Sequence, residues 1–418
     1  GTVGAGTFEL LREHAELLRH RTGRSVVVTA VSAREQGRER GLDLTGVRWH
    51  EDARALAEDP YVDLVCELIG GSEGVARELV GSALRHGKSV VTANKALLAL
   101  HGAELAQLAE AAGAQLRFEA AVAGGIPIVK SLREGLAANR IMRVYGILNG
   151  TCNFILTTMR DTGREFSDVL AEAQALGYAE ADPSFDVDGI DAAHKLALLA
   201  ALAFGGRPRF DAIHIEGIRH VSAVDIAFAD QLGYRIKLLG VARLTPDGLE
   251  QRMHPCMVPA QAPIAQVDGV FNGVVVEGDR VGSVVHEGRG AGAGPTASAV
   301  VGDIVDIARG LSLATFGVPA SELALHAIAP MSAHAGSYYI RLMVVDQPGV
   351  LADISAVLRD HDVSIESLIQ RGRNPGQAVP IVLTSHDTTE ADMRGALERI
   401  AALPAVLEAP RMIRIERS

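Results

Sequence analysis

The sequence contains few cysteines and few aromatic residues, and it has no long uninterrupted apolar run. Three of its 418 residues are cysteine and 4% are aromatic, whereas 48% are hydrophobic. Cys66, Cys152 and Cys256 are odd in number and far apart, so we expect neither a disulfide framework nor a zinc site, and a reducing cytoplasm fits this pattern. The longest apolar stretch, near 196–204, is shorter than the roughly 18 to 20 residues that cross a bilayer. No membrane partner is therefore predicted.

Clusters of basic residues interleaved with aromatic residues are also missing, and the formal net charge is -11. A surface that binds nucleic acid must neutralise phosphate groups, so no nucleic-acid partner is predicted and small-molecule chemistry is favoured. The chain is longer than the about 250 to 300 residues that one hydrophobic core usually supports. We therefore expect two or three domains.

The first 130 residues alternate short β-branched segments with longer amphipathic segments rich in alanine and leucine. This alternation is typical of a doubly wound, Rossmann-like parallel sheet with crossover helices. A glycine-rich loop and a helix at about 290–316 are expected to return to this nucleotide-binding domain. The predicted strands are 26–31, 64–69, 89–92 and 115–119.

Residues 131–289 lose this rhythm and predict an α+β domain for substrate binding and dimerisation. The prolines, glycines and small residues of 317–337 indicate a linker. The last segment, 338–418, has the element order βαββαβ of a ferredoxin-like unit. In 131–289 we expect helices near 188–204 and 225–240 and strands near 250–259 and 273–285; in 338–418 we expect strands at 338–345, 364–370, 379–385 and 412–415 and helices at 349–360 and 389–402.

The sequence begins with GTVGAG, directly before a predicted helix from Thr7 to His20. Gly1, Gly4 and Gly6 would lie on a turn whose amides face a pyrophosphate at the helix N-terminus, and the first strand would precede residue 1.

The end of the second predicted strand bears on the choice of cofactor. A site for NAD usually has an acidic residue there, whereas this sequence has Arg34, followed by Arg38 and Arg40. Arginine favours a 2′-phosphate, so NADP is predicted over NAD, although such a loop also suits a solvated surface.

Two lysines are candidates for catalysis. Lys95 follows strand 89–92 at the edge where doubly wound sheets bind ligands, although an exposed helix start would also suit it. Asp191 and Lys195 are four residues apart and share one face of a helix whose later turns are apolar. As a surface ion pair they would contribute only about 0.2 to 0.5 kcal/mol, but a largely buried helix favours a cleft. Lysine can supply charge and a proton to a reacting aldehyde, and metal binding by nearby aspartates is the weaker alternative.

Several motifs occur in the order found in one enzyme family. They are GTVGAG at 1–6, ELIGG at 67–71, TANK at 92–95, FEAAVAGGIPI at 118–128, NGTCNFIL at 149–156, GYAEADPSFDVDGIDAAHK at 177–195 and GAGAGPTASAV at 290–300. Through these motifs the chain before residue 317 resembles homoserine dehydrogenases. The resemblance implies reduction of L-aspartate 4-semialdehyde to L-homoserine with a nicotinamide cofactor, in the pathway to threonine, methionine and isoleucine.

The resemblance also implies roles for individual residues. Lys195 would give a proton to the substrate oxygen, Asp191 would orient it, and Lys95 would be the second lysine of the active site. The implied substrate contacts are Glu180, Asp186, Gly150, Thr151 and Lys95. The implied cofactor contacts are Gly1, Thr2, Val3, Gly4, Arg34, Ile69, Gly70, Thr92, Lys95 and Gly292. A structural sodium ion would be bound by Glu119 and by the carbonyl groups of Val122, Gly124 and Ile126.

Within 338–418, the segment DQPGVLADISAVL resembles the strand-to-helix turn of an ACT domain, a module that commonly binds amino acids between paired copies. The resemblance implies threonine as a regulatory effector, and a homodimer or homotetramer. A domain used only for dimer contacts is the alternative.

Two other functions remain compatible with the sequence. Another semialdehyde dehydrogenase, of the phosphorylating type, would need a cysteine nucleophile, for which Cys152 in NGTCN is the candidate, although this cysteine has no catalytic role in homoserine dehydrogenases. A catalytically inactive amino-acid-binding regulator is the second alternative, against which stands the presence of both lysines, Asp191 and Glu180.

Overall fold

The computed structural model describes residues 1–370 and 376–417. Its first region contains short parallel strands between helices. Strands β3, β4 and β5 are adjacent in that order, and β1 pairs with β2, all in parallel. The elements are α1 (Thr2–Glu13), α2 (Ala15–Thr22), β1 (Ala30–Val31), β2 (Arg48–Trp49), β3 (Leu64–Glu67), α3 (Val75–Arg85), β4 (Ser89–Thr92), α4 (Lys95–Ala111) and β5 (Leu116–Arg117).

The glycine-rich start differs from the prediction. Helix α1 already begins at Thr2, so Gly4 and Gly6 lie inside the helix and only Gly1 remains at its N-cap. Gly6 serves close packing: a Cβ atom there would lie 3.2 Å from the carbonyl oxygen of Ala293. The predicted helix 7–20 is also wrong as one unit, because α1 ends at Glu13 and α2 follows it.

The second predicted strand, 26–31, is hydrogen-bonded as a strand only at Ala30–Val31. Its partner, Arg48–Trp49, was not predicted. Among the described residues, 26–28 pairs with no strand, and its side chains line a groove of about 660 Å³ that also includes Gly1, Leu64 and Ile304. β-branched composition predicts an extended chain, but a strand also needs a neighbour that supplies hydrogen bonds.

The middle region packs helices on a large sheet. Its elements are α5 (Ile128–Lys130), β6 (Ile141–Ile147), α6 (Gly150–Thr162), α7 (Phe166–Ala175), α8 (Ser184–Val187), α9 (Ile190–Phe204), β7 (His214–Ile215), α10 (Ala223–Gln231), β8 (Tyr234–Thr245), β9 (Gly248–Pro259), β10 (Phe271–Gly278) and β11 (Gly282–Arg289), followed by α11 (Ala293–Ala308). Helix α9 is buried along most of its length and packs against β6, β8, β9 and α4. Its apolar surface therefore joins the first region to the sheet.

Two sequence predictions in the middle region are wrong. The helix expected at 225–240 ends at Gln231, and Tyr234–Thr245 is a strand paired with β9 along its whole length. Gly233, at a φ of +81°, reverses the chain between them. The segment 273–285 includes the turn of a hairpin, because β10 ends at Gly278 and β11 begins at Gly282.

The C-terminal module has the predicted ferredoxin-like order, with one extra short strand. Its elements are β12 (Ala335–Val345), α12 (Val350–Asp360), β13 (Ile365–Gln370), β14 (Ala378–Ser385), β15 (Thr388–Thr389), α13 (Glu390–Ala401) and β16 (Arg411–Ile415). It has its own apolar core between its sheet and its two helices. The predicted fold class is confirmed: a Rossmann-like parallel sheet, an α+β region and a ferredoxin-like module.

The C-terminal module continues the sheet of the middle region. The strand order is β11-β10-β6-β8-β9-β16-β12-β14-β13, and β16 pairs with β9 in parallel at Arg414–Cys256 and Ile415–Met257. The segment 317–337 lies along the middle region, with backbone bridges from Ala324 to Gly206 and from Ile328 to Leu249. Within the described chain, no helix combines the length and hydropathy that a membrane crossing requires.

Candidate active site

Helix α9 begins at the centre of the candidate site. Gly189 is its N-cap, with a left-handed φ of +85°. Asp191 lies in the first turn, where the positive end of the helix dipole stabilises a carboxylate. It is only 6% exposed. Lys195 lies one turn further along on the same face, as its spacing predicted.

Two ammonium groups from different regions meet at this carboxylate. Lys95 opens α4 directly after strand β4, where the side chain of Asn94 caps the helix by accepting the amide proton of Leu97 at 3.1 Å. Its Nζ lies 2.9 Å from Oδ1 of Asp191, and the Nζ of Lys195 lies 2.6 Å from Oδ2. The structure thus brings together Lys95, Asp191 and Lys195.

The carboxylate of Asp191 is stabilised in its charged form by the two lysines. Burial alone would raise the pKa of Asp191, but the two lysines outweigh it and hold that pKa well below its usual value. Lys195 also donates to the carbonyl oxygen of Leu148 at 2.7 Å. An ammonium group has three N–H donors, and the third donor of Lys195 has no partner among the described residues. One proton is therefore available to a ligand.

Asn149, which the sequence analysis did not single out, connects the parts of the site. Its Nδ2 donates to Asp186 at 2.8 Å and to Asp191 at 3.0 Å, while its Oδ1 accepts the amide proton of Cys152 at 2.9 Å. It is therefore both the N-cap of α6 and the bridge between two carboxylates. Burial raises the pKa of Asp186.

The other predicted substrate contacts surround this cluster. Gly150 opens α6 so close to the neighbouring chain that a Cβ atom would lie 2.7 Å from the carbonyl oxygen of Val270. Thr151 donates its hydroxyl proton to the carbonyl oxygen of Tyr178 at 2.7 Å. Glu180 is exposed, and in the described part of the chain its carboxylate contacts neither lysine. The structure does not bring it into the lysine cluster.

The cofactor contacts predicted at the first helix all lie at its N-terminus. The amides of Thr2, Val3 and Gly4 belong to the first turn of α1, which leaves amide protons free for an anion. Gly292 is the N-cap of α11, whose first residue packs on Gly6.

A buried carboxylate that sequence reasoning missed links two cofactor motifs. Glu67 is fully buried and accepts the amide protons of Ile69 at 2.8 Å and Gly70 at 3.0 Å. It also accepts the hydroxyl proton of Thr92 at 2.6 Å, and Asn94 donates to the carbonyl oxygen of Gly71 at 2.7 Å. These bonds fix the ends of β3 and β4, where doubly wound sheets bind ligands.

The arginines of the loop between β1 and β2 differ in their surroundings. Arg34 is exposed, whereas Arg40 is half-buried with its guanidinium 5.5 Å from the ring centroid of Trp49. Arg40 also donates to the carbonyl oxygens of Arg38 and Glu35, and it lines the same groove as Gly1. Arg40 is the better-anchored cation of the two.

The predicted cation loop surrounds a buried carboxylate. Glu119 accepts the amide protons of Val129 and Lys130, each at 2.9 Å. Burial, reinforced by Asp303, raises the pKa of Glu119 to about 7. One oxygen of Asp303 is buried and has no partner among the described residues. The chain passes through left-handed conformations at Ala123 and Gly124, next to the predicted carbonyl ligands of Val122 and Ile126. Since sodium prefers oxygen ligands and would offset these charges, the residues present fit a monovalent cation.

Cys152 has the environment of an inert thiol. It is fully buried, its Sγ lies 3.2 Å from the carbonyl oxygen of Asp186, and burial raises its pKa well above the usual value. A thioester mechanism needs an accessible thiolate and a base. The geometry therefore disfavours the phosphorylating alternative.

A parallel sheet whose first helix begins with amide donors, together with two lysines on a buried aspartate, defines the class of protein: a nicotinamide-dependent oxidoreductase that carries a C-terminal ACT domain. Sequence models for "Homoserine dehydrogenase, NAD binding domain", "Homoserine dehydrogenase" and "ACT domain" match residues 1–119, 127–305 and 338–405. The chain belongs to the homoserine dehydrogenase family. It is an NAD(P)-dependent oxidoreductase that acts on a CH–OH group, between L-aspartate 4-semialdehyde and L-homoserine.

Individual relatives agree with this assignment, and the first two cover the whole length of the chain. Homoserine dehydrogenase from Pseudomonas aeruginosa is 46% identical over 424 residues, covering 100% of this chain and 97% of that protein. The crystal structure of a homoserine dehydrogenase from Thiobacillus denitrificans is 47% identical with a TM-score of 0.94, covering 100% of this chain and 96% of the other. A hyperthermophilic archaeal homoserine dehydrogenase in complex with NADPH is 28% identical with a TM-score of 0.58, covering 73% of this chain and 94% of the other.

Proposed function

We propose that this chain reduces L-aspartate 4-semialdehyde with NADPH and that Lys195 donates the proton to the substrate oxygen. The observation that carries this proposal is the convergence of Lys95 and Lys195 on Asp191, at 2.9 and 2.6 Å. The reduced nicotinamide supplies the hydride when it is bound. The roles of the protein residues follow from their charges and positions.

Lys195 is placed to act as a general acid. Asp191 and the Leu148 carbonyl fix two of its N–H donors, which leaves the third for the alkoxide that develops on the substrate. A fixed ammonium group stabilises this negative charge and then neutralises it by proton transfer. After the transfer Lys195 is neutral, and the charge of Lys95 alone balances Asp191.

Substrate and cofactor contacts are proposed for the surrounding residues. Glu180 is exposed near the Thr151–Tyr178 hydrogen bond, so its carboxylate is free to meet the ammonium group of the substrate. Asp186, Gly150 and Thr151 would border the substrate, and Ile69, Gly70, Thr92 and Gly292 would border the cofactor. The amides of Gly1 to Gly4 would hold its pyrophosphate.

Arginines support NADP over NAD. Arg34 and Arg40 lie in the loop that follows strand β1, where a 2′-phosphate is recognised in this fold. The guanidinium groups would bind this phosphate through charge-assisted hydrogen bonds. We also propose a sodium ion at Glu119 and the carbonyl groups of Val122, Gly124 and Ile126, with a structural role.

The C-terminal ACT domain suggests an amino-acid effector, for which we propose threonine, made downstream of homoserine. Threonine would lower activity by favouring one of two arrangements of the protein. We further propose a homodimer or homotetramer, located in the cytoplasm. Threonine titrated into the purified protein should bind and reduce its rate, and an absence of both effects would exclude threonine.

Replacement of Lys195 tests the proposed chemistry. Lys195→Ala should lower kcat by about 100-fold or more, the usual effect of removing a general acid. The matched control is Lys88→Ala, because among the described residues Lys88 donates to the carbonyl groups of Leu56 and Asp59 and contacts no member of the lysine cluster. Reduction of NADP⁺ by homoserine is followed by absorbance. A folded Lys195→Ala variant with near-normal turnover would remove Lys195 from the mechanism.

A further inference from the structure

One buried contact between the ACT domain and the middle region is centred on Arg414. This residue lies on β16 and is 1% exposed. Its Nη1 and Nη2 donate to the two carboxylate oxygens of Glu216 at 2.9 and 3.0 Å, and its Nε donates to Glu390 at 2.9 Å. A bidentate pair of this kind fixes orientation as well as distance. Glu216 is therefore held rigidly by the ACT domain.

Glu216 in turn belongs to a segment that is fixed on the sheet. Ile215 pairs with Met253 of β9, and the amide of Glu216 donates to the carbonyl oxygen of Met253 at 2.7 Å. Burial alone would raise the pKa of Glu216, but hydrogen bonds from His214 and Arg414 lower it well below its usual value. The carboxylate is therefore charged at neutral pH.

The residues after Glu216 lie directly against the turn that precedes α9. A Cβ atom at Gly217 would collide with the backbone of Val187 and Asp188. The amide of Ile218 donates to the carbonyl oxygen of Val187 at 2.9 Å. Arg219 donates through Nη2 to the hydroxyl of Ser184 at 2.9 Å and also pairs with Asp188. Residues 215–219 therefore hold the turn 184–189 in place.

This turn sets the positions of two carboxylates of the site. Asp186 lies within it and accepts a hydrogen bond from Asn149, which also donates a hydrogen bond to Asp191. Asp191 follows the turn in the first turn of α9. Arg414 is thus connected to Asp191, which binds both lysines, through the ion pair with Glu216, the backbone contact of Ile218 with Val187, and this turn.

We propose that Glu216 and Arg414 are positioning residues of the active site, through which the ACT domain holds Asp186 and the start of α9 in the arrangement that binds the amino-acid substrate. This proposal rests on the proposed function, because it takes Asp186, Asp191 and Lys195 as the substrate side of the site. Movement of β16 relative to β9 changes the site through this contact.

A second buried pair across the same boundary provides the comparison. Arg341 of β12 donates to Asp225 of α10 at 2.7 Å, and Asp225 also accepts from Tyr339 at 2.9 Å. Among the described residues, Asp225 accepts side-chain hydrogen bonds from Ser222, Tyr339 and Arg341 and from no residue of the turn 184–189. The loss of Arg341 therefore weakens the boundary at a carboxylate that does not itself contact the turn.

The experiment compares Arg414→Met with Arg341→Met in the full-length protein. Each change removes one buried cation and leaves another donor to every carboxylate that the cation served: Glu216 keeps His214, Glu390 keeps Arg394 and Asp225 keeps Tyr339. Arg414→Met should raise the KM for homoserine and lower kcat/KM about tenfold, since small displacements of reacting groups have large effects, while the Kd for NADP⁺ stays unchanged. Hydrogen–deuterium exchange should become faster in 183–192 and 218. Arg341→Met should change neither the KM nor this exchange.

Two further variants keep the test decisive if Arg414→Met does not fold. Glu216→Gln preserves shape and removes the charge, and it should reproduce the higher KM and faster exchange. Arg414→Lys should recover part of both. The proposal is overturned if Glu216→Gln and Arg414→Met keep wild-type kinetics and exchange, or if Arg341→Met changes both equally. Hydrogen–deuterium exchange does not depend on catalysis. If the variants exchange faster but the wild type does not oxidise homoserine, the result contradicts the proposed function and leaves the positioning role intact.

Discussion

At the scale of single residues, the site depends on one carboxylate that serves two ammonium groups. Asp191 offers one oxygen to Lys95 and the other to Lys195. Without this charge, two cations would face each other in a partly buried site, where like charges repel strongly. Asp191 therefore determines the positions of both lysines.

Neutralising Asp191 should displace the two lysines in a protein that still folds. Asp191→Asn keeps the shape of the side chain but loses the charge, so the lysines should turn away and kcat should fall by about 100-fold. The Kd for NADP⁺ should change little, because the amides at the start of α1 are unaffected. Asp161→Asn, at an exposed ion pair with Arg160, is the control. Wild-type turnover in a folded Asp191→Asn variant would contradict the proposed role.

The sequence made some of these residues predictable and hid others. Lys95, Asp191 and Lys195 could be selected because charged residues at a strand end or on an apolar helix need an explanation. Glu67 and Asn149 gave no such signal, because their partners are backbone amides and side chains that only the folded chain brings close. The sequence offered only their positions in the motifs ELIGG and NGTCN.

At the scale of elements, the wrong predictions fall on segments whose composition is compatible with both a helix and a strand. Residues 234–240 read YRIKLLG, with two leucines and one β-branched residue, so their composition favours the continuation of a helix. Gly233 is a helix stop that could have been used. The strand Ser89–Thr92 was easier to predict, because a short β-branched run between two helices has one reasonable interpretation.

The cation loop is the element whose behaviour should depend on pH. The pKa of Glu119 rises from 4.5 to about 7 on folding, so the folded protein binds this proton more tightly than the unfolded chain. This contribution to stability is complete below pH 4.5 and is lost as the pH rises through about 7. Bound sodium would favour the carboxylate and offset the loss.

Sodium should therefore raise the Tm more above pH 7 than in mild acid. The measurement is thermal unfolding in sodium chloride against choline chloride at equal ionic strength. Glu119→Gln cannot ionise and should remove the difference between the two salts. Equal sodium effects at both pH values, or in the variant, would mean that sodium does not bind at Glu119.

At the scale of the whole molecule, the ACT domain and the middle region share buried charges. Arg252 on β9 is 1% exposed and pairs with Glu250 at 2.7 Å and with Glu416, which follows β16. Arg143 of β6 also pairs with Glu416, at 2.7 Å. His254 and Cys256 lie beside this cluster, but the guanidinium of Arg252 is 3.0 Å from Nε2 of His254 and already provides the cation there.

The sequence could not show this connection. The charged and polar residues Glu250, Arg252 and His254 alternate along β9, a pattern that usually indicates a solvent-exposed face. Burial of this face depends on β16, which is more than a hundred residues away in the chain. The C-terminal segment was therefore correctly predicted as a ferredoxin-like unit, but its place in a continuous sheet was not foreseen.

The shared charges predict that both parts unfold as one cooperative unit. Burial alone would raise the pKa of Glu416, but Arg252 and Arg143 lower it to about 2, so its stabilising effect is present above pH 4.5 and lost as the pH falls toward 2. Glu416→Gln should lower the free energy of unfolding by about 3 to 5 kcal/mol, the usual result of breaking a buried ion pair.

Urea unfolding followed by circular dichroism and by domain-specific exchange measures this effect. The wild type should unfold in one transition, and Glu416→Gln should unfold in two, because the ACT domain has a core of its own and no longer depends on the boundary. Glu366→Gln, at the exposed pair with Arg417, should behave like the wild type. Two transitions already present in the wild type would mean that the shared charges do not couple the two parts.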